Sequence, residues 1–279
     1  MSKLSGDDNL ALEGRNDEQA LQMLRKQYGL DQPLYIQYFQ QVGKLLTFDS
    51  QPSRFDRNKT FRTIMKDHFP ISASLGLRAI TLALVFGIPI GILAAIFHNK
   101  PIDQGGTVLA LVGVSVPNFI LGSLIVFLLV RKLGWFQATN WTDGWNLWIP
   151  AVALGAFPFA AILRLTRTAM LDSLREDYIR TARAKGLSEA VVILRHALRN
   201  SLTSVVTYVG PVVAGILIGS LVVERIFLIP GIGDMFVTSV SNRDTPLVLG
   251  ISVFFCASLI FMNLIVDSLY PILNPRLRK

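Results

Sequence analysis

YIRTARAKGLSEAVVILRHALRN, residues 178–200, is a strongly cationic stretch set between segments oily enough to cross a bilayer. Gly186 follows Lys185, the pattern of a helix that ends on a cation and then a left-handed glycine, with Leu187 placed for the accompanying hydrophobic contact. Ser188 stands where it can cap a second helix. Glu189 falls in that helix's first turn, and Arg195, His196 and Arg199 fall near its end, as the helix dipole prefers. Before the turn Met170, Leu174, Tyr178 and Ala182 recur at i, i+4; after it Val191, Leu194 and Leu198 share a face. The spacing predicts a helix–turn–helix hairpin over about 164–202, lying on a membrane surface. A plain surface anchor that gathers cations fits the composition equally well.

Working outward, the rest of the chain is built for lipid. Hydrophobic residues make up 51% and charged residues 16%, below the roughly 25% charged of soluble domains. Mean hydropathy is +0.46. Five apolar runs, 72–97, 106–130, 147–163, 202–223 and 246–266, approach the ~20 residues that a helix needs to cross ~30 Å of hydrocarbon. The fold class is therefore an all-α polytopic membrane protein with five transmembrane helices. Short-loop cations orient it: Arg131, Lys132, Arg225 and Arg243 lie on one side. Lys100, eight Lys and Arg from Arg164 to Arg199, and Arg276, Arg278 and Lys279 lie on the other, twelve against four. The cation-rich side is read as cytoplasmic, and Trp135, Trp141, Trp145 and Trp148 all belong to the opposite interface. This placement accounts for the net charge of +8 (27 minus 19) without nucleic acid. The single cysteine, Cys256, excludes a disulfide framework or thiolate cluster.

Five spans with a cytoplasmic C-terminus leave residues 1–70 outside the cytoplasm. That segment carries ten Lys and Arg and nine Asp and Glu and has no apolar h-region to take it across. Either it crosses unaided or an apolar helix is missing ahead of it. The second is the expectation, because a hydrophilic segment gains nothing from the membrane on its way through.

The order of residues in 178–200 resembles the cytoplasmic EAA loop of permease subunits of binding-protein-dependent ABC importers. Aligned on Gly186, only Ala182, Gly186 and Leu198 match the general pattern E-A-A-x3-G-x9-I-x-L-P. The departures are those of the peptide and nickel branch, whose version is similar to RTARAKGL (180–187) followed by LRHAL (194–198). FPISASLGLRA (69–79), TYVGP (207–211), GSLVVE (219–224), PGIG (230–233), NRD (242–244) and NPRLR (274–278) extend the likeness to the B-type oligopeptide permease. The resemblance implies a type I ABC importer permease fold, a six-helix subunit of which this chain lacks the first helix, with residues 71–279 as the transmembrane domain. It implies an inner-membrane location and translocation of oligopeptides or dipeptides, with nickel or glutathione as alternatives. Implied partners are a second homologous permease subunit, two cytoplasmic ATPase subunits, an extracytoplasmic solute-binding protein and the lipid membrane. Arg180, Thr181, Ala182, Arg183, Ala184, Lys185, Gly186 and Leu187 are the implied contact with the ATPase. Pro230, Gly231 and Gly233 belong to a loop facing the binding protein or gating the outer mouth.

Other features fit a pore subunit. Gly87 with Gly91, and Gly215 with Gly219, form G-x-x-x-G pairs that let helix backbones approach. Pro89, Pro117, Pro158 and Pro211 each remove a backbone hydrogen bond in or near a span, and Gly210 with Pro211 is the candidate hinge. An ion-coupled transporter or channel is the reading from another class, but ion coupling calls for carboxylates or histidines deep in the spans, and none is evident. A hydrolase is disfavoured too, since GISVF (250–254) lacks the final glycine of a rhomboid-like G-x-S-G and His68, His98 and His196 lie outside the runs. No cofactor or metal site is expected. There is no H-E-x-x-H, and no G-x-x-x-x-G-K-[ST] with which the chain could bind ATP itself.

Overall fold

The computed structural model describes residues 60–135, 146–217 and 220–273, with isolated positions between 32 and 43. Two compact units divide the chain, Met1–Ser50 and Gln51–Lys279, and the long helices belong to the second. Most of the segment 1–70, Trp141, Trp145, Gly219 and the NPRLR stretch lie outside the described residues.

Helix α1, Phe61–Ile96, opens on a capping box in which Thr63 N–H donates to Thr60 Oγ1 and the Thr63 side chain bonds back to the Thr60 backbone. Its 36 residues run ~54 Å, eleven residues longer at the start than the apolar run alone. Pro101 starts α2, Pro101–Ser115. The expected span 106–130, in which Pro117 is a candidate kink, is broken there. Pro117 cannot donate to a helix and forces Val116 into extended backbone (φ −88°, ψ 116°), so α2 stops at Ser115. Helix α3, Asn118–Ile125, and the π-helical turn Val126–Lys132 then leave at 99° to α2.

Helix α4, Trp148–Arg175, is packed along α1 through small residues. A Cβ at Gly91 would stand 2.7 Å from the Leu163 carbonyl oxygen, and one at Gly155 would stand 2.7 Å from that of Ala79. Gly87 meets the same helix at Phe159 and Ile162, so the first glycine pair serves helix packing. Gly215 meets nothing within 4 Å. Arg78 lies over the Trp148 ring, 5.6 Å from its centroid, which gives this cation a partner at the span's end.

The chain breaks at Glu176 and continues as α5, Asp177–Ala184. After a turn come α6, Glu189–Val191, a π-helical stretch Val192–Ala197 and α7, Leu198–Leu217, without interruption. Residues 202–217 of the expected run 202–223 lie on this 20-residue helix, ~30 Å long, residues 218 and 219 lie outside the description, and 221–223 begin the next helix. Two short helices follow, α8, Leu221–Ile226, and α9, Ile232–Ser241, where a loop is expected from the sequence. Helix α10, Thr245–Leu273, closes the described chain. Among the described residues, α1, α4 and the stretch Thr245–Ile265 of α10 are long and apolar enough to cross a membrane, and the bent α2–α3 pair makes a fourth. Large side chains on α2, α3 and α10, among them Leu111, Phe119, Ile260 and Leu264, face outward, as a lipid-solvated or subunit-contacting surface requires.

Candidate coupling hairpin and the loop at the other end

Helix α5 ends on a complete Schellman turn. Gly186 N–H donates to the Arg183 carbonyl (2.9 Å), Leu187 N–H reaches back to that of Ala182 (3.4 Å), and Gly186 itself sits at φ +75°. The left-handed glycine expected from the sequence is thus where it was placed. Leu187, however, is exposed rather than folded onto Ala182, and the Ser188 side chain makes no capping bond. Across the turn Arg183 forks onto Glu189, with Nη2 2.7 Å from Oε1 and Nε 3.1 Å from the same oxygen. A helix-dipole role for Glu189 was legible in the sequence; its pairing with Arg183 was not.

Two corrections concern the arms. The first arm is not one helix from 164 onward, because α4 ends at Arg175 and the Glu176 backbone is extended (ψ 150°). The second arm turns a different face inward: Val192 and Ala197 are buried, whereas Val191 and Leu194 are exposed. A π turn advances five residues per bonded ring, so it brings positions 192 and 197 to one side, which a 3.6-residue pattern does not foresee. With Ala95, Met170, Ile179 and Ala182 they form one cluster that seats the hairpin on the ends of α1 and α4. Ser173 Oγ donates to the Ala197 carbonyl (3.2 Å) and Ser201 Oγ to the Ala169 carbonyl (3.0 Å), pinning the second arm to α4. From Arg180 to Leu187 only Ala182 is buried, and Arg180, Thr181, Arg183, Ala184, Lys185, Gly186 and Leu187 are presented outward.

Beside the hairpin, the corner between α1 and α2 is locked to α4. Asp103, buried, accepts from Arg167 Nη2 (2.9 Å), Arg167 Nε and Asn99 N–H (2.9 Å), with His98 Nδ1 at 3.1 Å. The 64 residues between the partners hid this ion pair from local inspection.

At the far end of α1 the PGIG loop wraps a carboxylate. Glu224, fully buried, receives Ser72 Oγ–H (2.9 Å) and Ser220 N–H (3.2 Å) on Oε1 and Asp234 N–H (3.1 Å) on Oε2. Ser72 Oγ in turn accepts Ile232 N–H (2.8 Å), and His68 Nδ1 donates to the Pro230 carbonyl (2.8 Å). Burial pushes the Glu224 carboxyl above the usual carboxylate range, while these bonds and the Gly233 amide pull it down. A Cβ on Gly233 would stand 2.8 Å from Oε2, and one on Gly231 would collide with the same oxygen. Both glycines are buried and Pro230 is exposed. Gly210 is buried and Pro211 exposed within α7, which runs through them unbroken.

The family described as binding-protein-dependent transport system inner membrane component matches residues 87–279. The dipeptide transport system permease protein DppB of Bacillus subtilis (strain 168) is 42% identical over 95% of this chain and 87% of its own length. The glutathione transport system permease protein GsiC of Salmonella choleraesuis (strain SC-B67) is 39% identical over 94% of this chain and 85% of its own. A crystal structure of an amino acid ABC transporter with histidines shares the fold at a TM-score of 0.54 and 13% identity, covering 75% of this chain and 94% of that one.

Proposed function

Because the chain belongs to the family of binding-protein-dependent transport system inner membrane components, we propose that it is one membrane-spanning half of an ATP-driven importer for short peptides. It is a permease subunit of the inner membrane and not an enzyme. In this reading the 180–187 end is cytoplasmic, and the hairpin is the element on which an ATPase subunit docks. The observation that carries it is the outward turn: a left-handed Gly186, braced by Arg183 and Glu189 and seated on a buried cluster, presents a fixed shape rather than a loose cationic tail.

A second, homologous permease supplies the other half of the pore, two ATPase subunits bind the two hairpins, and an extracytoplasmic binding protein delivers solute near the PGIG loop (Pro230, Gly231, Gly233). Gly210 and Pro211 are the proposed flexing point of α7, where the missing proline N–H leaves one helical bond unmade. Relatives named for dipeptide and for glutathione transport both favour a solute with a peptide main chain. The test is reconstitution of the chain in vesicles with its second permease, ATPase and binding-protein partners, and uptake of a labelled dipeptide, glutathione or nickel. ATP-dependent uptake of the dipeptide is expected. Uptake driven by an ion gradient, without any ATPase subunit, would refute the proposal.

A further inference from the structure

Helix α9 begins at Gly231, which has no side chain with which to cap it, yet its first amides are not left orphaned. Their acceptors come from two other helices. Ile232 N–H is taken by Ser72 of α1, and Asp234 N–H by Glu224 of α8. Ser72 and Glu224 are themselves joined at 2.9 Å, and a negative carboxylate at a helix N-terminus is favourably placed against its dipole. His68, one turn before Ser72 on the same face of α1, holds the Pro230 carbonyl. The loop's position is thus written partly on α1, through Ser72 and His68, and partly on α8, through Glu224. At its other end α1 places Ala95 in the cluster that seats the hairpin. From Ser72 to Ala95 is 23 residues (95 minus 72), ~35 Å of continuous helix.

We infer that Glu224 is a positioning residue of the transport cycle: with Ser72 it caps α9 from outside, so the PGIG loop keeps its place only while α1 does, and displacement of α1 at the hairpin end reaches the loop through this cap. Hydrogen bonds of ~3 Å do not survive a helix shift of more than about an ångström, so the cap answers α1 movement by breaking rather than stretching. The inference rests on the importer reading above. It adds a residue outside Pro230, Gly231 and Gly233 and a route from the hairpin to the loop.

The experiment uses the full complex in vesicles. Glu224→Gln keeps the shape of the side chain but turns an amide nitrogen toward a backbone N–H, Ser220 or Asp234, that can only donate, so at least one bond is lost outright. Ser72→Ala removes the bridge, and Ser72→Thr keeps the hydroxyl. Hydrogen exchange of the amides in 231–236 and the stimulation of ATP hydrolysis by loaded binding protein are read together. In Glu224→Gln and Ser72→Ala, exchange should rise at least tenfold and stimulation should fall at least fivefold. Ser72→Thr should stay within twofold of the unmodified protein on both readouts. The Ser72→Ala/Glu224→Gln pair should lose little more than either single variant, because one network is being broken. Should Glu224→Gln fail to copurify with the ATPase subunits, Ser72→Ala carries the same expectation. Faster exchange with stimulation kept within twofold means a structural cap only and overturns the inference, as does unchanged exchange. If the unmodified complex itself shows no ATP-dependent uptake, it is the importer reading that fails.

Discussion

Replacing Gly186 by asparagine, alanine and valine separates the backbone from everything else at the hairpin turn. The residue sits at φ +75°, and a Cβ built there meets nothing within 4 Å, so no steric penalty from neighbours enters. What remains is the cost of the left-handed conformation, ~1–2 kcal/mol for a residue with a Cβ, greatest for a β-branched one and least for asparagine. A change of that size lowers the ratio of intact to broken turn roughly 5–30-fold. The spans are untouched, so all three variants should reach the membrane in near-normal amount. ATPase-subunit copurification and dipeptide uptake should then fall together in the order valine, alanine, asparagine, with asparagine close to the unmodified protein. The reasoning is refuted if Gly186→Val transports normally, since the shape of the turn would then not be used. Asparagine as harmful as valine would equally refute it, since bulk and not backbone would be responsible.

Further outcomes are expected elsewhere. Arg167→Ala takes the main partner from the Asp103 carboxylate, which keeps the Asn99 N–H and His98, and should cost ~1–3 kcal/mol, read as an earlier thermal loss of monodisperse detergent-solubilised protein; adding Asp103→Asn should recover part of it. The Arg183–Glu189 pair is exposed, so a double-mutant cycle on hairpin stability should give a coupling of ~0.2–1 kcal/mol that vanishes in high salt. With Cys256 replaced, a cysteine at position 185 should react with an impermeant reagent only from the cytoplasmic side and one at position 241 only from outside; the reverse pattern would overturn the orientation.

Much of the candidate site was legible because its determinants are close in sequence. The left-handed Gly186 and the helical bond lost at Pro117 each depend on residues within one turn; the starts of α1 and α2, eleven and five residues ahead of the apolar runs, were not foreseen. Where reading failed, the missing information was geometric. The inward face of 192–197 depends on a π turn, a change of helical period that its side chains do not announce. The stretch after Val223 reads as a loop because PGIG marks a turn, yet it holds most of two short helices. The amides that open α9 go to Ser72, far outside the segment, and to Glu224 of α8.

Hydropathy, the asymmetry of Lys and Arg, and the order of residues in 178–200 by themselves determined that this is a polytopic membrane permease with an exposed, glycine-turned hairpin, since burial in lipid and local backbone preference act on short stretches of chain. Only the tertiary structure decided what Glu224, Ser72, His68 and Asp103 do. Ser72 meets Glu224 across 152 residues and Ile232 across 160, and His68 meets Pro230 across 162. A carboxylate in a sequence is solvated by default. It becomes an internal cap when helix packing closes off water and delivers donors from three separate segments to its two oxygens.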